Sequence, residues 1–262
     1  MLAARSLCDT ARENNVYVAG SAHPMDSYSP DTVPKASAMP VWKRSMDIIG
    51  AGLILVFLSP LLFLIALMIR IISPGPALFR QDRIGLGRRT FTILKFRTMK
   101  HNADTSRHRD HLHHLIESAG HTNDGSAIPM AKLDDDPQII PLGGLFRKTG
   151  LDELPQLINV LRGEMSLVGP RPPIPYEVEH YQPWHLERFN ALPGITGLWQ
   201  VSGKNMLNFR EMIDLDIHYA RNIRFTMDLW ILCRTPWAVL GQLLNKPIAV
   251  RPLQRDHGSR HE

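Results

Sequence analysis

Cysteine is nearly absent from this 262-residue sequence, and the two that occur, Cys8 and Cys233, lie near opposite ends. This scarcity excludes a disulfide scaffold and a cysteine-built zinc site, and it suits a reducing compartment. A composition typical of disorder is also lacking, because 44% of the residues are hydrophobic and only 21% are charged. A chain of this length and composition buries a core in one domain, or in two small ones at most.

Acidic residues are too few to balance the basic ones, so the formal net charge is +5 and the pI is about 9.4. The excess predicts an anionic partner, which is a nucleic acid, a phosphate ligand or an acidic lipid surface. The basic residues cluster around one apolar segment and a few motifs rather than along a single helix, which argues against a nucleic acid.

The longest stretch without a charge covers the 22 residues from Ile48 to Ile69. A straight helix of that length spans the hydrocarbon core of a bilayer. The stretch begins too far along the chain to be a signal peptide. We therefore predict a membrane helix over residues 41–72, preceded by a polar, flexible tail over residues 1–40.

Two features favour a helix that enters the membrane, bends and returns. Ser59 and Pro60 lie at its midpoint, where proline removes a backbone donor and bends the helix, and where the serine hydroxyl can bond a freed carbonyl group. Lys43 and Arg44 precede the stretch, and Arg70 with several further arginines follows it. Because basic flanks stay cytoplasmic, this pattern favours both ends on that face. An ordinary spanning helix kinked at the proline is the alternative.

The remainder predicts one domain over residues 73–252 and a flexible tail over 253–262. Alternating residues at 77–81 and 90–97 predict a β-hairpin around a glycine-containing loop. Helical periodicity predicts amphipathic helices over 209–220 and 229–244, the second of which lies on the membrane or packs on the core. The predicted fold class is α+β and mainly helical: a re-entrant helix-break-helix, a small β-hairpin and amphipathic interfacial helices around a compact cytoplasmic catalytic domain.

The richest group of candidate functional residues lies at 147–161. Its apolar spacing predicts a helix, and Thr149 with Asp152 matches a capping box. Asp152 and Glu153 would then open the helix, where its dipole and free N–H groups favour carboxylates and any bound phosphate. Arg147 precedes the pair closely enough to reach the same anion. The alternative is that the two acids only cap the helix.

Two further segments carry cations. Prolines on both sides of Arg171 fix its backbone, and a preorganised guanidinium suits phosphate binding, although an arginine in an exposed turn fits the same pattern. Lys95 and Arg97 alternate with Phe96 at the end of a predicted strand, so both point away from the face of that ring.

Two other motifs give weaker indications. Glycines at 194, 197 and 203 allow close approach of the backbone to a ligand, but their spacing does not fit a P-loop. Six histidines between 101 and 121 lack the carboxylate or cysteine spacing of a metal site. A solvated helix face or loop is the better interpretation of that segment, 101–130.

Taken in order, these segments resemble the monotopic polyprenyl-phosphate phosphoglycosyl transferases, bacterial sugar transferases of the exopolysaccharide type. The resemblance runs from about Trp42 to Leu240 and includes the basic entry and the Ser-Pro bend. Its other motifs are KFRTM at 95–99, RKTGLDELPQLINVLRGEMSLVGPRP at 147–172, PGITGLWQVSGKN at 193–205 and DLDIHYARN at 214–222. Each motif alone is weak, but their order along the chain is highly specific.

The resemblance implies transfer of a sugar 1-phosphate from a UDP-sugar to undecaprenyl phosphate, with release of UMP. This reaction initiates exopolysaccharide, capsule or O-antigen repeat synthesis, and we expect glucose or galactose as the sugar. It implies Mg²⁺ as cofactor, and a bacterial inner (plasma) membrane location with the catalytic domain on the cytoplasmic face. UDP-sugar, undecaprenyl phosphate and the membrane are the expected partners, nucleic acid is not, and a homodimer stays open.

Matched residue by residue, the resemblance makes Asp152 the nucleophile of a covalent phosphosugar intermediate and associates Glu153 with the Mg²⁺ site. It assigns a further set to substrate binding: Lys95, Arg97, Arg147, Arg171 and Asp216. Two other classes of function stay as alternatives. One is a catalytically inactive membrane-surface scaffold or regulator of the same fold, against which the intact acid pair argues; the other is a membrane-tethered nucleic-acid binder, suggested by the pI alone.

Overall fold

The computed structural model describes residues 39–100, 103, 136–203 and 207–244. The predicted tails, 1–40 and 253–262, and the histidine-containing segment 101–130 lie outside these residues, apart from 39, 40 and 103. Within the described ranges the chain is mainly helical and has two small two-stranded sheets. This confirms the α+β, mainly helical class.

The membrane segment forms helix α1, Val41–Ile72. By length and composition it is able to cross a membrane, and it is the one such helix among the described residues. Pro60 lies inside α1 without ending it. Its missing N–H would have bonded the Val56 carbonyl oxygen, and the Ser59 hydroxyl donates to that oxygen instead, at 2.8 Å. The predicted serine–carbonyl bond is therefore present.

Helix α1 packs against the rest of the chain at both of its ends. Lys43, Asp47 and Ala51 are buried near the first end, and Ile65 and Ile69 are buried near the second. Between the two ends the helix exposes large apolar side chains, including Leu53, Val56, Phe57, Phe63 and Leu64. Such a continuous apolar surface is typical of contact with lipid.

The predicted β-hairpin is present. Strands β1, Leu78–Ile84, and β2, Thr90–Phe96, pair antiparallel, with Leu78 opposite Phe96 and Ile84 opposite Thr90. A short 3₁₀ turn, Leu86–Arg88, connects them. Ile93 and Phe96 of β2 are both buried, and because they are three residues apart they point to opposite faces of the strand. Each belongs to a different apolar cluster, so both faces of this part of the hairpin are covered.

The acid pair does not open a single helix as predicted. Helix α2, Gly143–Thr149, is followed by a 3₁₀ turn, Leu151–Glu153, and then by helix α3, Gln156–Arg162. The predicted capping box is wrong, because the Thr149 hydroxyl donates back to the carbonyl oxygens of Leu145 and Phe146 at 2.8 and 3.1 Å. Thr149 ends one helix rather than starting the next.

A second small sheet joins two distant motifs. Strands β3, Ser166–Val168, and β4, Gly194–Thr196, are parallel. The chain passes so closely here that a Cβ on Gly194 would lie 2.0 Å from the backbone nitrogen of Gly169. At Gly194 and Gly197 the close approach is to the backbone of Gly169. The approach of this glycine motif to a ligand stays a prediction.

The remaining helices complete the core. They are α4, Pro175–Val178, a 3₁₀ helix, Pro183–Asn190, α5, Leu198–Val201, α6, Phe209–Arg221, and α7, Phe225–Leu243. A capping box between Asn208 and Glu211 starts α6. Helix α7 packs on the core through buried Ile231, whereas Trp237 and Leu240 are exposed. Contact of this helix with the membrane stays a prediction.

Candidate active site

The acid pair lies in a tight turn that a glycine makes possible. Gly150 adopts a left-handed conformation, with φ of 73°, and the 3₁₀ turn that carries Asp152 and Glu153 follows directly. Asp152 is buried, and Glu153 is half-buried. The Lys95 ammonium on β2 donates to Glu153 Oε1 at 3.0 Å. The structure therefore brings three of the predicted site residues together.

Arg147 belongs to the last turn of α2, immediately before this turn. Its side chain is half-buried, and within the described residues it has no hydrogen-bond or ion-pair partner. A guanidinium in this state is available to an anionic ligand.

Arg97 is used differently. Its guanidinium donates to the carbonyl oxygens of Ser73 and Pro74, at 2.5 and 2.9 Å, in the turn that follows α1. The side chain is buried. Arg97 therefore joins the end of the membrane helix to the hairpin, and these two nitrogens are already engaged.

The segment around Arg171 is bonded on nearly every backbone group. The Val168 carbonyl oxygen accepts from Lys43 and Tyr219, and that of Pro170 accepts from the Gly194 N–H. Beyond Arg171, the carbonyl of Pro172 accepts from Arg83 at 3.0 Å and that of Pro173 from the Ile84 N–H at 3.0 Å. Because prolines also restrict the backbone here, this loop is rigid.

Arg171 itself is fixed through its side chain and its main chain. Its Nη1 lies 3.2 and 3.1 Å from the two carboxylate oxygens of Glu177. Its backbone N–H donates to Asp216 at 3.3 Å, and its carbonyl oxygen accepts from Arg188 at 2.7 Å. The side chain of Arg171 is still 22% exposed, whereas that of Glu177 is fully buried. The guanidinium is therefore held from within and open on one side.

The pKa values of the two carboxylates behind Arg171 are shifted in opposite directions. For Glu177, burial opposes ionisation, but the charges of Arg171 and Arg188 and the hydrogen bond from Tyr181 outweigh it and lower the pKa to about 2. For Asp216, burial dominates and raises the pKa to about 6, although Arg188 and the Arg171 N–H act against it. Asp216 is 0% exposed. Its carboxylate accepts from the Arg171 N–H and from Arg188.

Arg83 links the two halves of the site. Burial and the charge of Arg171 lower its pKa to about 10, while Glu177 and Glu153 oppose that shift. The charge of Arg83 thus interacts with both the acid-pair turn and the Arg171 loop. The two halves of the site together contain three cations and two carboxylates: Lys95, Arg83, Arg171, Glu153 and Glu177.

Sequence reasoning missed Arg83, Glu177, Tyr181 and Arg188 as members of the site. Their signal was weak, because each looks like an ordinary polar residue of a strand, a short helix or a turn. The family resemblance gave one member, Asp216 of the DLDIHYARN motif, which is buried on α6.

The membrane helix is tied to the same loop by buried charges. Lys43 donates to the carboxylate of Asp228 at 2.6 Å, to Tyr219 at 2.9 Å and to the Val168 carbonyl oxygen at 3.0 Å. One turn further, Asp47 accepts from the Leu167 N–H and the Ser166 hydroxyl. We predicted Lys43 only as a flanking charge, but it holds α1 to β3, which leads directly to Arg171.

Paired carboxylates beside fixed cations, next to an apolar helix, are typical of a membrane-associated enzyme that acts on phosphorylated substrates. The sequence model described as bacterial sugar transferase matches residues 38–242. The chain therefore belongs to the bacterial sugar transferase family. This confirms the predicted family and the enzyme class, a polyprenyl-phosphate sugar-1-phosphate transferase.

Several relatives are similar to this chain over about three quarters of its length. The exopolysaccharide production protein ExoY of Sinorhizobium fredii is 38% identical over 200 residues, which are 75% of this chain and 84% of ExoY. The UDP-glucose:undecaprenyl-phosphate glucose-1-phosphate transferase of Caulobacter vibrioides is 40% identical over 76% of this chain and 69% of its own length. The undecaprenyl-phosphate galactose phosphotransferase of Salmonella typhimurium is 39% identical over 76% of this chain and 40% of its own.

Proposed function

We propose that the protein transfers a sugar 1-phosphate from a UDP-sugar to undecaprenyl phosphate, releases UMP and so initiates an exopolysaccharide, capsule or O-antigen repeat. The relatives are named for this general reaction and for exopolysaccharide production. The observation that carries the proposal is the turn in which buried Asp152 adjoins the Glu153–Lys95 pair.

Asp152 is the nucleophile in this proposal. A carboxylate oxygen attacks the phosphorus that carries the sugar, a new O–P bond forms, and the bond to the bridging oxygen breaks as UMP leaves. A phosphate oxygen of undecaprenyl phosphate then attacks the same phosphorus and returns the electron pair to Asp152. Two displacements thus replace one, which is the usual benefit of covalent catalysis. Burial of Asp152 limits attack by water on the intermediate.

The cations bind and orient the phosphates. Arg147 has no partner within the described residues, and Arg171 is partly exposed, so both are suited to contact phosphoryl oxygens. Lys95 holds Glu153 in its rotamer next to Asp152. The bonds of Arg97 to Ser73 and Pro74 keep the end of α1 beside β2.

Mg²⁺ is part of the same proposal, and the residues fit it. The described residues contain no cluster of three or more metal-ligating side chains. Mg²⁺ commonly binds through one or two carboxylates together with substrate phosphates, and Asp152 with Glu153 offers such a pair. Glu153 is the residue that we expect to hold the ion. When bound, Mg²⁺ neutralises charge on the diphosphate.

The protein is membrane-associated, and we propose that α1 enters the bilayer from the cytoplasmic face of the inner membrane and returns to it. Both ends of α1 pack against one domain: Asp47 is bonded to Leu167, and Ile69 belongs to a buried cluster with Phe96 and Phe146. A helix that crossed the bilayer would need its two ends on opposite sides. The exposed apolar side chains lie between these two contacts, as immersion of the middle of α1 requires.

Nucleotide release tests the reaction. The full chain in nanodiscs is given Mg²⁺, undecaprenyl phosphate and a panel of UDP-sugars, with UDP-glucose and UDP-galactose first. We expect UMP with at least one donor, and none with Asp152→Asn. Asp214→Asn is the matched control, because Asp214 is an exposed carboxylate on α6.

UDP in place of UMP would overturn the proposed chemistry, because it would mean that the bare sugar is transferred. Unchanged UMP release by Asp152→Asn would overturn the assignment of the nucleophile. No release from any donor would favour the catalytically inactive scaffold.

A further inference from the structure

We propose that Glu177, Tyr181 and Arg188 are positioning residues, which act with Asp216 to fix Arg171 for contact with a phosphoryl group of the donor. The inference rests on the proposed function for its kinetic part. It adds three residues to the site, and it assigns Asp216 a role through Arg171.

The hydrogen bonds form a closed ring that begins and ends at Arg171. The Arg171 guanidinium donates to Glu177, and the Tyr181 hydroxyl donates to the same carboxylate at 2.7 Å. Arg188 donates to the Tyr181 oxygen at 2.6 Å and forms an ion pair with Asp216. Asp216 accepts from the Arg171 backbone N–H, which closes the ring.

Arg188 also forms a hydrogen bond across this ring. The Nη2 that pairs with Asp216 donates to the Arg171 carbonyl oxygen at 2.7 Å. The main chain of Arg171 is therefore held on both sides of its Cα, by Asp216 on the nitrogen and by Arg188 on the oxygen.

Burial argues that the ring serves function rather than stability alone. Glu177, Arg188 and Asp216 are each 1% exposed or less. Burying three charges costs free energy that their mutual attraction only partly offsets, and well-packed apolar residues often do as well. Among the four charged members, the one that reaches the surface is Arg171, 22% exposed. The arrangement thus presents one guanidinium outward at a fixed orientation, which electrostatic catalysis requires.

Electrostatics keeps Glu177 and Tyr181 in the protonation states that the ring needs. Glu177 stays ionised because its pKa is lowered to about 2, where the arginine charges outweigh burial. Burial raises the pKa of Tyr181 well above its ordinary value, so the hydroxyl keeps the proton that it donates.

The first test measures amide hydrogen exchange at Arg171 and does not depend on catalytic activity. Residues 170, 172 and 173 are prolines, so a peptide over 169–173 carries few exchanging amides apart from that of Arg171. Hydrogen exchange of the full chain in nanodiscs is compared with that of Asp216→Asn and Tyr181→Phe. We expect faster exchange at Arg171 in both variants and no change in Asp214→Asn. Unchanged exchange in both ring variants would overturn the proposal.

The second test is a double-mutant cycle on UMP release. Tyr181→Phe removes one oxygen from a well-packed ring and is expected to fold. A lost bond in a charged network lowers kcat by about 10- to 100-fold. In an Arg171→Lys background the same change should cost less than about twofold, because Tyr181 acts through Arg171. Equal losses in the two backgrounds would show an independent effect and overturn the positioning role.

A third test of the same conclusion compares kcat for Glu177→Gln with kcat for a control variant on the neighbouring 3₁₀ helix. Glu187→Gln alters an ion pair with Arg221 that lies outside the ring. We expect a kcat loss with Glu177→Gln alone. If the wild-type chain released no UMP while the exchange results held, the proposed function would fail and the ring would stand. UMP release with unchanged exchange would support the proposed function and overturn the ring.

Discussion

The ammonium group of Lys95 lies 3.0 Å from the carboxylate of Glu153, although the two residues come from the hairpin and from the turn after α2. Both side chains are about one-fifth exposed, at 20% and 22%. The pair therefore lies at the surface of the site, within reach of a ligand. It also orients the acid that adjoins the proposed nucleophile, Asp152.

Removing the cation from this pair should impair turnover. We expect Lys95→Met to lower kcat for UMP release at least about tenfold, because Glu153 loses a charge-assisted hydrogen bond. Lys95→Arg should retain part of the activity. Lys148→Met, a change at an exposed lysine of α2, is the matched control. A wild-type rate in Lys95→Met would remove Lys95 from the site.

The carboxylate of Glu153 should determine how much Mg²⁺ the enzyme needs. We expect EDTA to stop UMP release and added Mg²⁺ to restore it. Glu153→Gln should raise the Mg²⁺ concentration for half-maximal rate, because an amide is a weaker ligand than a carboxylate. The measurement is a Mg²⁺ titration of initial rates, with Glu187→Gln as control. Full activity in EDTA would eliminate the metal from the mechanism.

The Ser59–Pro60 pair should control the topology of α1. Pro60→Ala restores a backbone donor and should straighten the helix, so we expect part of the population to span the membrane. A cysteine is introduced by Met39→Cys after Cys8→Ser and Cys233→Ser, and intact vesicles are labelled with an impermeant reagent. Labelling from the cytoplasmic side alone is expected with Pro60 present. Labelling of that parent chain from outside would contradict the re-entrant topology.

Glu177 should stabilise the fold in a pH-dependent way. Its folded pKa is about 2, below the ordinary value of 4.5, because the charges of Arg171 and Arg188 outweigh burial. Its contribution, about 3 kcal/mol, is present above pH 4.5 and is lost as the pH falls towards 2. Unfolding of wild type and Glu177→Gln should therefore differ most near neutral pH and converge in acid. A difference independent of pH would contradict this linkage.

Breaking the buried Lys43–Asp228 pair should lower the free energy of unfolding strongly, whereas replacing both residues with apolar ones should lower it much less. Lys43→Met leaves Asp228 buried without its cation, and we expect a loss of about 3–5 kcal/mol in the free energy of unfolding. Lys43→Met combined with Asp228→Leu should recover much of that loss. Breaking the more exposed Arg221–Glu187 pair should cost at most about 1 kcal/mol. A double variant less stable than Lys43→Met would oppose this account.

Local patterns predicted the local structure well. Alternation gave the hairpin, helical spacing gave α6 and α7, and the serine–carbonyl bond followed from the chemistry of Pro60 alone. These features depend on residues within a few positions of one another. The predicted capping box was wrong because the Thr149 hydroxyl bonds the turn before it, at Leu145 and Phe146. Sequence spacing does not show whether a threonine bonds the preceding turn or the following one.

Sequence spacing could not predict hydrogen-bond partners that lie far apart along the chain. Lys43 and Asp228 are separated by 185 residues, and Asp47 and Leu167 by 120. The motifs identified Arg171 and Asp216 separately, but not the Glu177, Tyr181 and Arg188 side chains that connect them. Nothing in a single sequence says which buried arginine meets which carboxylate, since the fold decides it.

The distance along the chain between Lys43 and Asp228 also sets an order of events during synthesis. Asp228 leaves the ribosome long after α1 does, so the apolar helix meets the membrane while its own anchoring partner does not yet exist. The bilayer must therefore hold α1 first, and the folded domain closes onto its first turn last. A chain cut short before α7 would therefore keep its membrane helix but leave Lys43 without the carboxylate of Asp228.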